Sequence, residues 1–227
     1  MKEKRKKRAE KKKKIDLSLY LVTDRRLLGQ LSLTELVGKA LAGGVTVVQL
    51  REKDCSSREF YELALALKKL IPEDVTFIIN DRVDIALASQ ADGVHLGQSD
   101  LPVTVARELL GPASVIGLSV ESSEQLEQAK NLPVDYLAIS PVFPTPTKTD
   151  FSSPAWGLEG LRQARRLTDL PLVAIGGINQ ENAAEVIQAG ADGLAVVSAI
   201  CASPEPEEAA RRLKHIIETA RRKSGLI

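Results

Sequence analysis

The sequence is poor in the residues and runs on which several protein classes depend. Only two cysteines occur in 227 residues. Cys55 and Cys201 stand far apart without metal-ligand spacing, so neither a disulfide framework nor a thiolate metal centre is expected. No apolar run approaches the roughly 18 residues that cross a bilayer, and no secretory signal pattern opens the chain; the expectation is a cytoplasmic protein with no membrane partner. Walker loop, Cys/His cluster and Ser-His-Asp arrangement are all missing. Of the two histidines, His95 reads as a satisfied core residue within a strand, and His215 sits on the last helical segment. Cys55 reads as an exposed loop thiol and Cys201 as a small core residue. The first strand is followed by Asp24-Arg25-Arg26 rather than a glycine fingerprint, which argues against an open dinucleotide-binding sheet.

What is present is ordinary for a soluble globular domain, at 44% hydrophobic and 27% charged residues. The net charge of +1 hides an asymmetry: residues 1–14 hold ten Lys/Arg and two Glu, whereas the rest of the chain is net acidic. Such a basic block can attract nucleic acid or anionic lipid. It has no aromatic residue for base stacking and no apolar face for insertion, so nucleic acid is not expected as a partner. Residues 1–14 are read as a disordered basic tail without a catalytic role, and 15–227 as one catalytic domain.

Eight short apolar runs alternate with eight helix-like segments. The runs are Ser18–Thr23, Thr46–Leu50, Thr76–Ile79, Gly93–Leu96, Ser114–Leu118, Tyr136–Ile139, Leu172–Ile175 and Gly193–Val197. They lack polar alternation, as expected of strands buried on both faces. Helices are expected over Ser32–Leu41, Phe60–Ile71, Val83–Ser89, Pro102–Leu110, Ser123–Asn131, Leu158–Leu167, Gln180–Ala189 and Glu205–Arg222. A weak internal echo, Gln90-Ala91-Asp92-Gly93-Val94 against Gly190-Ala191-Asp192-Gly193-Leu194, marks two similar turns into strands. Eight right-handed units predict a single-domain α/β fold, the (β/α)8 TIM barrel, whose strand C-termini converge on one face.

Polar residues gather where the runs end. Asp81 and Asp100, after adjacent strands, can share a hard divalent ion such as Mg2+, although each could equally cap the helix that follows it. Gln49, Arg51 and Lys53 alternate along an extended segment and can face one side; Arg51 and Lys53 suit a polyphosphate, and a charged loop is the plainer alternative. The loop Ser140–Trp156 sets Thr145, Thr147 and Lys148 among prolines that include Pro146, either to hold an anion or as a connector. Gly176-Gly177 after strand seven and Val197-Ser198 after strand eight occupy the places where barrels bind phosphate; a tight turn alone would also explain the glycines. Two phosphate sites on one face, only one of them with a metal, suggest a diphosphate leaving group on one substrate and a monophosphate handle on the other.

At these residues the chain resembles the thiamine phosphate synthase family. The matching motifs are Gln49-Leu50-Arg51-Glu52-Lys53, Ile79-Asn80-Asp81-Arg82, Gly93 to Asp100, Gly117-Leu118-Ser119, Pro144 to Lys148, Gly176-Gly177-Ile178 and Val197-Ser198, in the family's order. The resemblance implies a transferase of thiamine biosynthesis that joins hydroxymethylpyrimidine diphosphate to a thiazole phosphate and releases diphosphate, through a pyrimidine carbocation trapped by the thiazole nitrogen. It implies pyrimidine diphosphate contacts from Gln49, Leu50, Arg51, Glu52, Lys53, Asn80, Ser119 and Lys148, with Arg51, Ser119 and Lys148 closest to the chemistry. It implies Mg2+ on Asp81 and Asp100, and thiazole phosphate contacts from Thr145, Pro146, Thr147, Gly177, Val197 and Ser198. The rivals are a thiazole tautomerase, which has no need of the metal and diphosphate residues, a non-catalytic phosphate-ligand sensor, and a flavin or pyridoxal enzyme on the same fold. Oligomeric state stays open, a homo-oligomer included.

Overall fold

Eight parallel strands close into a barrel in sequence order, β1 pairing with both β2 and β8. The computed structural model describes residues 15–145 and 153–223. The sequence-derived tail therefore lies outside the described residues. In chain order the elements are β1 Leu19–Val22, a 3-10 turn Arg25–Leu27, α1 Leu33–Ala42, β2 Val47–Leu50, α2 Ser57–Leu70, β3 Thr76–Asn80, α3 Val83–Ser89, β4 Gly93–Leu96, α4 Val103–Leu110, β5 Val115–Val120, α5 Ser123–Ala129, β6 Tyr136–Ile139, α6 Gly157–Leu167, β7 Leu172–Ile175, α7 Ala183–Gln188, β8 Gly193–Val196, α8 Ser198–Cys201 and α9 Pro206–Lys223.

Strand periodicity divides the core into two layers. One set of side chains, such as Leu19, Leu21, Val48, Leu50, Phe77 and Ile79, packs outward against the helices. The other set, Tyr20, Val22, Val47, Ile78, Val115, Tyr136, Val173 and Ala195, fills the barrel interior. Most stabilisation comes from the outer layer, at about 25 cal/mol per Å2 of apolar surface removed from water. Helix starts follow local chemistry: Ser32 forms a capping box with Glu35, and the Ser56 hydroxyl accepts from Glu59 N. α9 packs on α7 and α1 and completes the helical ring.

The turns entering β4, β6 and β8 repeat one device, and two of them carry the internal echo read from the sequence. Asp92 Oδ2 accepts from Phe77 N at 2.9 Å, Asp135 Oδ2 from Ile116 N at 2.8 Å, and Asp192 Oδ2 from Leu172 N at 2.7 Å. Each aspartate also meets a helix cation: Lys68 at 3.3 Å, Arg107 at 2.8 Å and Arg165 at 2.9 Å. The device satisfies a strand-start amide that would otherwise be buried without a partner.

Candidate active site

The last inward-facing residue of each strand forms the floor of one cavity of about 700 Å3 at the C-terminal face. Strands β2 to β5 supply Gln49, Asn80, His95 and Ser119; strands β6, β7, β8 and β1 supply Ala138, Ile175, Ala195 and Val22. The floor is thus polar on one half and apolar on the other. Small residues on the apolar side leave room for a ring.

Gln49, Arg51 and Lys53 all line this cavity, as their alternation required. The same alternation sends the intervening side chains elsewhere. Leu50 is fully buried in the outer core layer, and Glu52 turns to Arg25, with Arg25 Nε 2.8 Å from its Oε2. Neither Leu50 nor Glu52 is among the residues that line the main cavity; Glu52 faces the smaller cleft beside it. Arg51 Nη1 lies 3.8 Å from Asp24 Oδ2, and Lys53 Nζ lies 2.7 Å from Asp81 Oδ2. A shallower cleft of about 270 Å3, lined in part by Arg25, Arg26 and Asp54, shares Arg51 and Lys53 with the main cavity.

Neither Asp81 nor Asp100 caps a helix. Arg82 and Pro102 occupy the N-cap positions of α3 and α4, and neither makes a side-chain cap bond. Asp81 instead sits at φ 60°, a left-handed conformation that aspartate tolerates through its short polar side chain. Its amide donates to His95 O at 2.8 Å, which turns the carboxylate into the cavity mouth. Asp100 Oδ2 accepts from Gly97 N at 2.7 Å. Burial, reinforced by the neighbouring Asp81, raises the Asp100 carboxyl above its ordinary range. Two carboxylates packed together are relieved by a cation. Among the described residues no group of three or more His, Cys, Asp or Glu gathers to hold a metal. The pair suits an ion such as Mg2+ that keeps several waters and takes its remaining ligands from substrate phosphates. Beside it, Asn80 Nδ2 is buried with no hydrogen-bond partner, a donor left unpaired in the protein.

On the opposite rim, Thr145, Gly177, Val197 and Ser198 line the cavity, while Pro146, Thr147 and Lys148 lie outside the described residues. Gly176 and Gly177 have φ of 104° and 65° and press against Pro141, Phe143 and Pro144, so the turn itself requires glycine there. Val142 N and Phe143 N donate to Ile175 O and Gly176 O at 2.9 and 3.0 Å, holding the loop after β6 beside the loop after β7.

The sequence reading missed the tyrosines. Gln49 Nε2 donates to Tyr20 OH at 2.6 Å, Tyr20 OH meets Tyr136 OH at 2.9 Å, Tyr136 OH meets His95 Nδ1 at 2.9 Å, and His95 Nε2 meets Ser119 Oγ at 2.9 Å. Burial raises both phenols above their usual range. His95 is the satisfied core histidine expected, yet it also lines the cavity. The available signal was a lone tyrosine in each of two otherwise apolar strands, since a buried hydroxyl needs a partner. Cys201 is buried as expected, its thiol pushed up to about 11 by burial, but Cys55 is half-buried rather than exposed. His215 lies exposed on α9.

The pattern described as "Thiamine monophosphate synthase" matches residues 19–200. A thiamine-phosphate synthase of Albidiferax ferrireducens is 59% identical over 203 residues, 89% of this chain and 92% of the relative. A thiamine-phosphate synthase of Syntrophomonas wolfei is 54% identical over 204 residues, 89% of this chain and 97% of the relative. The solved structure of thiamine phosphate pyrophosphorylase from Pyrococcus furiosus superposes with a TM-score of 0.83 at 43% identity, covering 90% of this chain and 97% of that one.

Proposed function

Because this chain belongs to the thiamine monophosphate synthase family and is a transferase of thiamine biosynthesis, we propose that it condenses 4-amino-2-methyl-5-(diphosphooxymethyl)pyrimidine with 4-methyl-5-(2-phosphoethyl)thiazole to give thiamine phosphate and diphosphate, or with the thiazole carboxylate, which in addition releases carbon dioxide and takes a proton from solvent. The observation that carries this reading is the divided cavity. Gln49, Asn80, Ser119, Arg51, Lys53 and the Asp81–Asp100 pair lie on one side, and Thr145, Gly177, Val197 and Ser198 lie on the other.

Arg51 and Lys53 bind the diphosphate as a planar fork and a point charge. Asn80 Nδ2, unpaired within the protein, donates to a substrate oxygen, and Ser119 adds a second donor. Asp81 and Asp100 would hold Mg2+, which when bound supplies charge neutralisation for the departing diphosphate. By the family resemblance, Lys148 joins the diphosphate side, and Pro146 and Thr147 join the thiazole phosphate side. The pyrimidine carbon–oxygen bond breaks with its electron pair leaving on diphosphate, and the thiazole nitrogen lone pair forms the new carbon–nitrogen bond. No proton need move to the protein, which agrees with a site built from donors and cations rather than around a nucleophile. The apolar floor of Val22, Ala138, Ile175 and Ala195 keeps water from intercepting the cation.

The test is purified protein with both substrates and Mg2+, the product being oxidised to fluorescent thiochrome. Signal that requires both substrates and the ion is expected. No signal from folded protein with verified substrates would overturn the proposal.

A further inference from the structure

The five-residue hydrogen-bond chain across the barrel interior has a direction. Each tyrosine hydroxyl has one proton to give, so a choice at one end runs through to the other. Gln49 Nε2 donates to Tyr20, which cannot return its own proton to that nitrogen; pairing both buried phenol protons within the chain then sends the Tyr20 proton to Tyr136 and the Tyr136 proton to His95 Nδ1. A neutral imidazole then carries its hydrogen on Nε2 and donates it to Ser119 Oγ. The Ser119 proton is left for the cavity, and the Gln49 amide has its Oε1 acceptor left for a ligand. Geometry holds the chain together: Tyr136 stacks on His95 with ring centroids 5.6 Å apart, and Tyr20 meets Tyr136 edge-on at 6.0 Å. Reversing the sense would require the Gln49 amide to turn over and every proton to shift.

We propose that Tyr20, Tyr136 and His95 are positioning residues that lock Gln49 as a hydrogen-bond acceptor and Ser119 as a donor, so that the cavity selects an amino-bearing over a hydroxyl- or oxo-bearing heterocyclic diphosphate. The same polarity denies Ser119 a base, because His95 Nε2 gives a proton rather than taking one, and makes Ser119 a donor instead of a nucleophile. The identity of the ligand rests on the synthase reading; the polarity of the chain does not.

Two measurements test this. The first compares kcat/KM for the aminopyrimidine diphosphate and its 4-hydroxy analogue. A buried site with fixed polarity should favour the amine by roughly 100-fold or more, and Tyr20→Phe, which frees the amide, should cut that preference below about 10-fold. Packing alone would not move this ratio. In the same variant KM for the thiazole phosphate should stay within about twofold. Unchanged discrimination in Tyr20→Phe and Tyr136→Phe, or equal damage to both substrates, would overturn the proposal. The second needs no substrate. The chain has two histidines, so ring-15N-labelled protein gives two imidazole signal sets, and His215→Ala assigns them. His95 is expected as the neutral Nε2–H tautomer in the wild type and as a mixture in Tyr136→Phe. An Nδ1–H or doubly protonated His95 in the wild type would overturn it. An Nε2–H tautomer in a protein that makes no thiamine phosphate would support the polarity while defeating the synthase reading.

Discussion

Lys53 Nζ lies 2.7 Å from Asp81 Oδ2, joining the loop after β2 to the loop after β3 across the cavity mouth. On the proposed reading, a cation that serves the diphosphate neutralises a carboxylate that serves the metal. The lysine side chain is 52% exposed and the aspartate 21%. A pair this open to water contributes at most about 1 kcal/mol and opens readily when each partner has a better one.

Removing the lysine should therefore push two properties in opposite directions. In Lys53→Gln, affinity for Mn2+ or Mg2+ without substrate should rise by up to about fivefold, the equivalent of the lost pair. Over the same change, kcat/KM for the pyrimidine diphosphate should fall by roughly 10-fold or more through loss of a charge-assisted phosphate contact. Calorimetric titration gives the first quantity and the thiochrome assay the second. Unchanged ion affinity would show that Lys53 does not compete for Asp81.

Asp81→Asn and Asp100→Asn should each leave the fold intact. Asparagine tolerates the φ of 60° at position 81, and at position 100 its carbonyl can still accept from Gly97 N. Each substitution removes a negative ligand, so the rate should drop at least ~100-fold, about 2.7 kcal/mol of transition-state stabilisation. Near-normal turnover at limiting Mg2+ would take that residue out of the metal site.

These acidic residues were legible because they follow apolar runs whose ends the sequence marks clearly. The bounds of β4, β6 and β7 follow from turn residues flanking each run, and the one-sided placement of Gln49, Arg51 and Lys53 follows from strand periodicity. β5 runs two residues beyond its apolar run because Ser119 and Val120 pair with Ala138 and Ile139 of β6, a register set by the neighbouring strand. That extension makes Ser119 part of the floor. The Tyr20–Tyr136 contact joins residues 116 apart in sequence, and no local pattern announces it. Glu52 reads as another member of a polar run; only the position of Arg25 reveals its outward turn.

Stability should carry the opposite mark from activity at Asp100. Its carboxyl is raised above the ordinary value of 3.8 by burial and by Asp81. A raised folded-state value means the folded form holds the proton more tightly than the unfolded form. The associated stability is fully present below the unfolded carboxylate range and is lost as pH climbs through the raised value. Asp100→Asn has no proton to lose. Without divalent ions, its melting temperature relative to wild type should rise as pH climbs from the ordinary carboxylate value through the raised one, and then level off. A difference that is flat across that range would show that Asp100 is not held in a proton-favouring environment.

Gly117 lies directly beneath the tyrosine–histidine contact. A Cβ there would overlap the Tyr136 ring and His95 Nδ1, and neither can retreat, because Tyr136 is fully buried and both are tied into the hydrogen-bond chain. Gly117→Ala adds one methyl group to a filled interior, a change that typically costs about 1–3 kcal/mol. Denaturant unfolding should show a loss of that size with little change in slope. Activity should fall beyond what the lost stability explains, since the displaced rings release Ser119 and Gln49 together. Equal stability with normal activity would mean that the barrel interior has room to spare, and that the contact between Tyr136 and His95 does not fix the floor of the cavity.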